Sequence, residues 1–224
     1  GDFANITVIS RGGTPVRLSQ VARVEDAQEE ARDVAFVSGE RAVVLSVELC
    51  GQTFRHGDRS AENYVGAALF GDGAAAAVID DSHQGPEIVA WQSDLFPGTE
   101  DVMGWDFVDD GLKLVLTKKV PHVVAREVAP AIDRFLETQG VSRRDVRHFI
   151  LHPGGRRILE TYRAALGVDA DGLRPSRECL RTVGNLSSAA VLFVLASIEA
   201  RPDDLGLIAA VGPGFAVEQV LLRW

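Results

Sequence analysis

Apolar residues in this chain fall into short blocks separated by turns rich in glycine and proline, and their spacing changes from block to block. Residues 6–9 alternate as a strand does, Arg11-Gly12-Gly13-Thr14-Pro15 reads as a turn, and 16–24 holds a second extended piece. The run EDAQEEARD at 25–33 reads as a solvated helix or loop. A continuous apolar strand is expected at 43–49, a polar loop at 51–60 and a helix at 61–69. Phe70-Gly71-Asp72-Gly73 makes a sharp turn into a small-residue strand at 74–79, where backbones can pack closely. Strands are expected at 87–91 and 112–116, with a long loop, 93–111, between them. The aromatics of that loop, Phe96, Trp105 and Phe107, fit either a pocket wall or packing over a sheet face.

The best amphipathic helix spans 120–138, with Val124, Val128, Ile132 and Phe135 at helical spacing. Pro121 suits its first turn and Gly140 its end, while Pro130 inside the run predicts a local adjustment. A strand at 146–151, the turn His152-Pro153-Gly154-Gly155, a helix at 156–166 and a short helix at 175–181 follow. Two strands, 205–211 and 215–222, close the chain around the hairpin turn Gly212-Pro213-Gly214. Strands alternate with helices, so the fold class is α/β with antiparallel pairing at the end.

Within this pattern the stretch VGNLSSAAVLFVLASIE, 183–199, is a polar turn feeding an apolar helix of about three turns. Gly184 permits a tight backbone, and Ser187 and Ser188 suit the capping of the first turn. A buried carboxamide at Asn185 needs hydrogen-bond partners, and it is expected to face a substrate carbonyl. His152 closes a buried strand against a Pro-Gly-Gly turn that leaves its imidazole uncovered, a common setting for ligand sites. The other histidines, His56, His83, His122 and His148, read as surface. Imidazole and carboxamide are two neutral donors, and two donors on one oxygen make an oxyanion hole for an enolate or a tetrahedral intermediate. The histidine must be neutral to donate without a buried charge.

Composition narrows the field. The formal charge of -9, with both signs interspersed over 224 residues, argues against nucleic acid as partner. Cys50 and Cys179 match no metal spacing and no disulfide framework, which favours a reducing compartment. No signal-peptide pattern and no apolar run of ~18–20 residues is visible. The expectation is a soluble, cytoplasmic chain with no membrane partner, and one that starts on Gly1 as if incomplete.

Six strings carry a family likeness: VELC (47–50), GAALFGDGAAAAV (66–78), GLKLVLTKKVP (111–121), ILHPGG (150–155), VGNLSSAAVLFVL (183–195) and GPGFAVEQVLLR (212–223). In this order they resemble the C-terminal portion of type III polyketide synthases, the chalcone/stilbene synthase family. The resemblance implies a thiolase-like α/β fold over residues 47–224, usually in a homodimer. It implies decarboxylative Claisen condensation of malonyl-CoA onto an acyl-CoA starter, with CoA thioesters as substrates and no metal or other cofactor. By the same resemblance His152 and Asn185 are the decarboxylation and oxyanion residues, and Phe70 is the gatekeeper. Leu114 stands where plant members keep a second phenylalanine, and Ser187, Gly212 and Pro213 line the cavity. With Leu114, a less bulky 210–214 loop and Trp105 near a plant glycine, a chalcone product is not expected.

The family's nucleophilic cysteine precedes VELC by some two dozen residues, and this chain has none there. Cys50 belongs to VELC, beside the tunnel, and is not favoured as a substitute; without a thiolate there is no acyl-enzyme. Residues 1–46 instead resemble the porter region of resistance-nodulation-division efflux pumps, through NITVISRGGTPVRLSQVARVEDAQEEARDVAFVSGERAVVLSV. Three readings follow: a synthase portion inactive alone for want of its nucleophile, a non-catalytic chimera joined near 41–46, and an efflux-pump fragment. The first also expects poor packing of residues 1–46 and exposed apolar surface.

Overall fold

The computed structural model describes residues 7–11, 14–17, 42–82, 84–109 and 111–224. They fall into two compact bodies, Gly1–Val44 with Ala77–Asp81, and Leu45–Ala76 with Ser82–Trp224. In the first, β1 (Thr7–Arg11) and β2 (Thr14–Arg17) pair antiparallel, with Arg11 opposite Thr14. The tip of the expected turn, the charged run at 25–33 and most of the efflux-pump-like string lie outside the described residues.

The larger body is built on a four-stranded mixed sheet in the order β5 (Glu87–Leu95), β10 (Ala216–Arg223), β9 (Leu205–Gly212), β8 (Val146–Leu151). β8 runs parallel to β9, whereas β9–β10 and β10–β5 are antiparallel. Strand alternation sends Leu151, paired with Ala209, to one face and Ile150, paired with Ile208, to the other. The first face packs on α2 (Val120–Val123), the turn Val124–Val128, α3 (Ala129–Thr138) and α4 (Arg156–Leu166), burying Val124, Ile132, Phe135 and Leu159. On the second face Cys179 of α5 (Arg174–Val183) and Val194 of α6 (Ala190–Ala196) bury Ile150. Each large apolar side chain fully buried in this way contributes roughly 1.5–3 kcal/mol. The α/β expectation with a terminal antiparallel hairpin describes this sheet.

The remaining elements are a pair, β3 (Ala42–Leu49) with β4 (Asp72–Ile79), the helix α1 (Ala61–Leu69), and a hairpin, β6 (Met103–Val108) with β7 (Gly111–Leu116). α1 starts as its sequence dictates, with the Ser60 hydroxyl accepting the Asn63 amide at 3.3 Å.

Four expectations need correction. The loop set at 93–111 is mostly strand: β5 runs on to Leu95, and Met103, Trp105 and Phe107 alternate along β6. Phe96 is buried, while Phe107 is 91% exposed. The helix after Asn185 is shorter than three turns, because a tight turn at Ser187–Ala189 precedes a seven-residue α6. Neither serine caps it. Ser187 sits at φ +50°, and the Ser188 hydroxyl bonds to Ser46 at 2.5 Å and to the Glu48 carboxylate. His148 is also not surface; its Nε2 meets Asp204 Oδ2 at 2.9 Å and its ring packs edge-on against Trp224.

Pro130 acts as expected. It has no N–H to give the preceding turn, and the helix widens to a π-turn over Val124–Val128 before resuming. Apolar surface is exposed on β3, at Val47 and Leu49, and on β5, at Trp91 and Leu95. No helix among the described residues is long and apolar enough to cross a membrane.

Candidate active site

His152 follows the last residue of β8. Its backbone N–H donates to the Ala209 carbonyl at 2.9 Å, extending the parallel ladder by one residue. One residue earlier, the Leu151 carbonyl accepts from the hydroxyl of Ser176, a fully buried side chain on α5, at 2.7 Å. The turn then folds back, Gly154 N–H donating to the His152 carbonyl at 2.9 Å. Gly154 lies against the ring itself: a Cβ there would stand 3.2 Å from Cδ2 and 3.5 Å from Nε2. The turn thus lies along one edge of the imidazole, and His152 as a whole stays partly exposed, in keeping with the open ring expected from the sequence. Burial lowers its pKa to about 4, so it is neutral at physiological pH. Among the described residues no protein group hydrogen-bonds to its ring nitrogens.

Asn185 is 6% exposed, as a functional or satisfied carboxamide must be. Gly184 enters the turn at φ +80°, a conformation that a side chain would strain. Asn185 then forms an isolated parallel bridge with Phe70: its N–H donates to the Leu69 carbonyl at 2.8 Å, and its carbonyl accepts from Gly71 N–H at 3.0 Å. The carboxamide oxygen accepts the Ser187 N–H at 2.9 Å, which points the amide and leaves its NH2 group unspent. The turn after His152 reaches the same place, since a Cβ on Gly155 would sit 3.7 Å from both Leu69 methyl groups. Thus the loops bearing His152 and Asn185 both abut Leu69.

Phe70, Leu114 and Trp105 lie together. Trp105 pairs across the hairpin with Leu114, and its ring centre is 6.5 Å from that of Phe70. Gly66 makes room for both neighbours, because a Cβ there would meet Leu114 at 3.2 Å and the Phe70 ring at 3.5 Å. Pro213 reaches the hairpin through Gly104, whose Cβ position is 4.0 Å away, while Gly212 ends β9 opposite Ala216. Ser187 is half-buried beside Asn185.

The sequence reading passed over Ser176, Thr99 and Glu48. The Thr99 hydroxyl donates to the Phe96 carbonyl at 2.5 Å and accepts the Phe215 N–H at 2.9 Å, tying the strand after Gly212-Pro213-Gly214 to the end of β5. Glu48 holds the Ser188 amide at 3.2 Å. Glu48 was legible as the one charge in an apolar strand; a serine or threonine anchoring a backbone carbonyl leaves no such mark.

Both thiols have raised pKa values. Burial raises that of Cys50 first, and the carboxylates of Glu48 and Asp72 add to it. Burial alone raises that of Cys179, whose sulfur points to the Ala190 carbonyl at 3.8 Å. Neither setting favours a thiolate. Among the described residues no three His, Cys, Asp or Glu side chains cluster as metal ligands would.

Comparison with known proteins decides what frame these residues belong to. The family described as "Chalcone and stilbene synthases, C-terminal domain" matches residues 87–224, more than half of the chain. The chain belongs to the chalcone and stilbene synthase family. It is 40% identical over 193 residues to a 1,3,6,8-tetrahydroxynaphthalene synthase of Streptomyces peucetius subsp. caesius, covering 82% of this chain and 51% of that protein. Identity to a 3,5-dihydroxyphenylacetyl-CoA synthase of Amycolatopsis orientalis is 31% over 195 residues, 83% of this chain and 52% of that one. Among solved structures, the bacterial type III polyketide synthase 1,3,6,8-tetrahydroxynaphthalene synthase of Streptomyces coelicolor A3(2) superposes with a TM-score of 0.79 at 32% identity, covering 83% of this chain and 55% of that one. PKS-I of the brown alga Ectocarpus siliculosus gives 0.75 at 30% identity, over 83% and 53% of the two chains. The fold of this chalcone/stilbene synthase relative is thus thiolase-like, and the chain spans about half the length of the curated relatives it matches.

Proposed function

We propose that this chain carries the decarboxylation and oxyanion half of a type III polyketide synthase site, with malonyl-CoA and an acyl-CoA starter as substrates. The observation that carries the reading is the orientation of Asn185: its carboxamide oxygen is committed to Ser187 N–H, so its NH2 group is left to donate. In this reading His152, neutral through burial, is the second donor, its loop and that of Asn185 both abutting Leu69. In the proposed step the malonyl C–C bond breaks, CO2 leaves, and the bonding pair passes into the thioester as an enolate. The His152 and Asn185 N–H groups hold the enolate oxygen. The enolate carbon then attacks an acyl thioester, forming a C–C bond as the thiolate departs. The thioester carbonyl accepts the electron pair itself, so the proposed chemistry calls for no metal or organic cofactor. Phe70, Leu114, Ser187, Gly212 and Pro213 shape the acyl cavity in this reading, and the complete protein is a cytoplasmic homodimer.

The two thiols, both held protonated, favour a further element of the reading: the 224-residue polypeptide does not condense on its own. Residues 1–46, similar to an efflux-pump porter segment, contribute none of the proposed site residues. If the chain is instead a non-catalytic chimera, even decarboxylation is absent.

The test is release of 14CO2 from malonyl-CoA by the parent, His152→Ala and Asn185→Asp. Asn185→Asp keeps the acceptor for Ser187 and removes the amide donors. A loss of about 10²–10³ in rate in each variant is expected; equal rates in all three, or no release by the parent, refutes the pair's role. Incubation with radiolabelled acyl-CoA should leave no labelled thioester, and a label on Cys50 refutes the assignment of that thiol as inert.

A further inference from the structure

The backbone groups on either side of the His152 Cα are all held. The peptide joining Leu151 to His152 gives its N–H to the Ala209 carbonyl at 2.9 Å, and its carbonyl accepts the Ser176 hydroxyl at 2.7 Å. The carbonyl of His152 itself accepts the Gly154 N–H at 2.9 Å. Of these bonds only the one from Ser176 depends on a side chain. The imidazole has no polar tether of its own, because among the described residues no protein group bonds to its ring nitrogens. Its direction is therefore set by the backbone that carries it and the rotamers which that backbone allows. A planar peptide bonded at both N–H and C=O cannot swing about the line joining its two Cα atoms, whereas one bonded at N–H alone keeps that freedom.

Ser176 does not serve its own helix. It is fully buried in the first turn of α5, where a hydroxyl commonly caps local backbone groups, yet the start of α5 has no side-chain cap. The hydroxyl instead reaches 25 residues back along the chain, to the end of β8. The same helix leads to the other proposed donor. α5 ends at Val183, the Gly184 N–H donates to the Leu180 carbonyl at 3.2 Å, and Asn185 follows, anchored through Leu69 and Gly71. Ser176 thus bonds the strand end that bears His152 to the helix that runs into Asn185. Cys179 packs on Ile150 between the same two elements, but apolar contact is non-directional, while a hydrogen bond fixes an angle.

We infer that Ser176 is a positioning residue: its hydroxyl fixes the peptide before His152, and with it the direction of the imidazole relative to the Asn185 carboxamide. The consequence for rate rests on the proposed function, whereas the hold on the ring does not.

The full chain is compared with Ser176→Ala and with Ser176→Thr, which keeps the hydroxyl. Ring direction is read by NMR from the NOE between the His152 Hδ2 proton and the Gly154 α protons. The Cβ position of Gly154 lies 3.2 Å from Cδ2, so this NOE is strong in the parent. It should weaken in folded Ser176→Ala and recover in Ser176→Thr. In release of 14CO2 from malonyl-CoA, kcat should fall about tenfold to a hundredfold in Ser176→Ala at unchanged KM, the effect of displacing a reacting group by about 1 Å. A merely structural serine would lower stability and leave the NOE and kcat of the folded protein as they are. A parent-like NOE in folded Ser176→Ala overturns the inference whatever the rates, and an unchanged kcat beside a decarboxylating parent overturns it as well. Should Ser176→Ala not fold, Ser176→Cys, close in size with a weaker donor, is read in the same way. If the NOE weakens while the parent releases no CO2, the hold on the ring stands and only the proposed function fails.

Discussion

Phe70 and Asn185 are joined backbone to backbone. The Asn185 amide donates to the residue before Phe70 at 2.8 Å, and the residue after Phe70 donates to the Asn185 carbonyl at 3.0 Å. The proposed gatekeeper and the proposed oxyanion donor are therefore registered by two hydrogen bonds that involve neither side chain. The bridge requires close approach: a Cβ on Gly71 would lie 2.3 Å from the Val183 carbonyl oxygen, and one on Gly184 would lie 2.9 Å from that of Leu69.

Gly71→Ala must push these segments apart, and should cost about 1–3 kcal/mol. Urea denaturation measures this directly. Phe70→Leu leaves the bridge intact and should cost less than about 1.5 kcal/mol. Equal effects of the two substitutions would mean that the bridge does not constrain the fold.

The depressed pKa of His152 has a consequence for acid stability. In the folded chain the ring takes a proton only near pH 4, but in the unfolded chain it does so near 6.5. Between those values the unfolded state binds a proton that the folded state does not. Stability is therefore undiminished above about pH 6.5 and falls as pH drops towards 4, by about 3 kcal/mol at most. His152→Gln should lack this component of the pH dependence. The His152 Cε1 proton, followed by NMR, should titrate near pH 4, and a midpoint near 6.5 would contradict the burial argument.

Ser176→Ala strands the Leu151 carbonyl in a fully buried setting. The expected cost is about 1–3 kcal/mol. Because that carbonyl ends β8, the His152 N–H bond to Ala209 should loosen, and its amide exchange should quicken relative to the centre of the strand. Unchanged protection of the His152 amide would show that Ser176 does not hold the strand end.

Thr99→Val removes the acceptor of the Phe215 N–H without changing side-chain shape. A loss of about 1–3 kcal/mol is expected, with Thr99→Ser restoring most of it. Thermal unfolding of the three proteins distinguishes the lost hydrogen bond from a packing effect.

Much of this architecture was legible where one period dominated. The helix Ala61–Leu69, the strand Val146–Leu151 and the helix Arg156–Leu166 have the bounds their apolar spacing implied. β6 was hidden because glycines and the flanking loops around Met103, Trp105 and Phe107 outweighed a clear alternation. Around Asn185, the residue and its burial could be read, but its partners could not. Its main-chain partners come from the end of α1 and the turn after it, more than a hundred residues earlier, and only the folded chain brings Leu69 and Gly71 beside Asn185 and Glu48 beside Ser188. The packing of Gly154 along the His152 ring edge is likewise a property of how the turn folds back.

Gly71 and Gly184 also govern how this scaffold can diversify. The position of the Asn185 amide is set by main-chain atoms, while Phe70 on the partner segment packs with the side chains of Trp105 and Leu114. A codon change at any of those three alters this side-chain cluster, the wall of the acyl cavity in the proposed function, and leaves the bridge hydrogen bonds in place. If the proposed function holds, selection for a new product can proceed by single steps at that wall, with the crossing of two bare backbones as the fixed pivot.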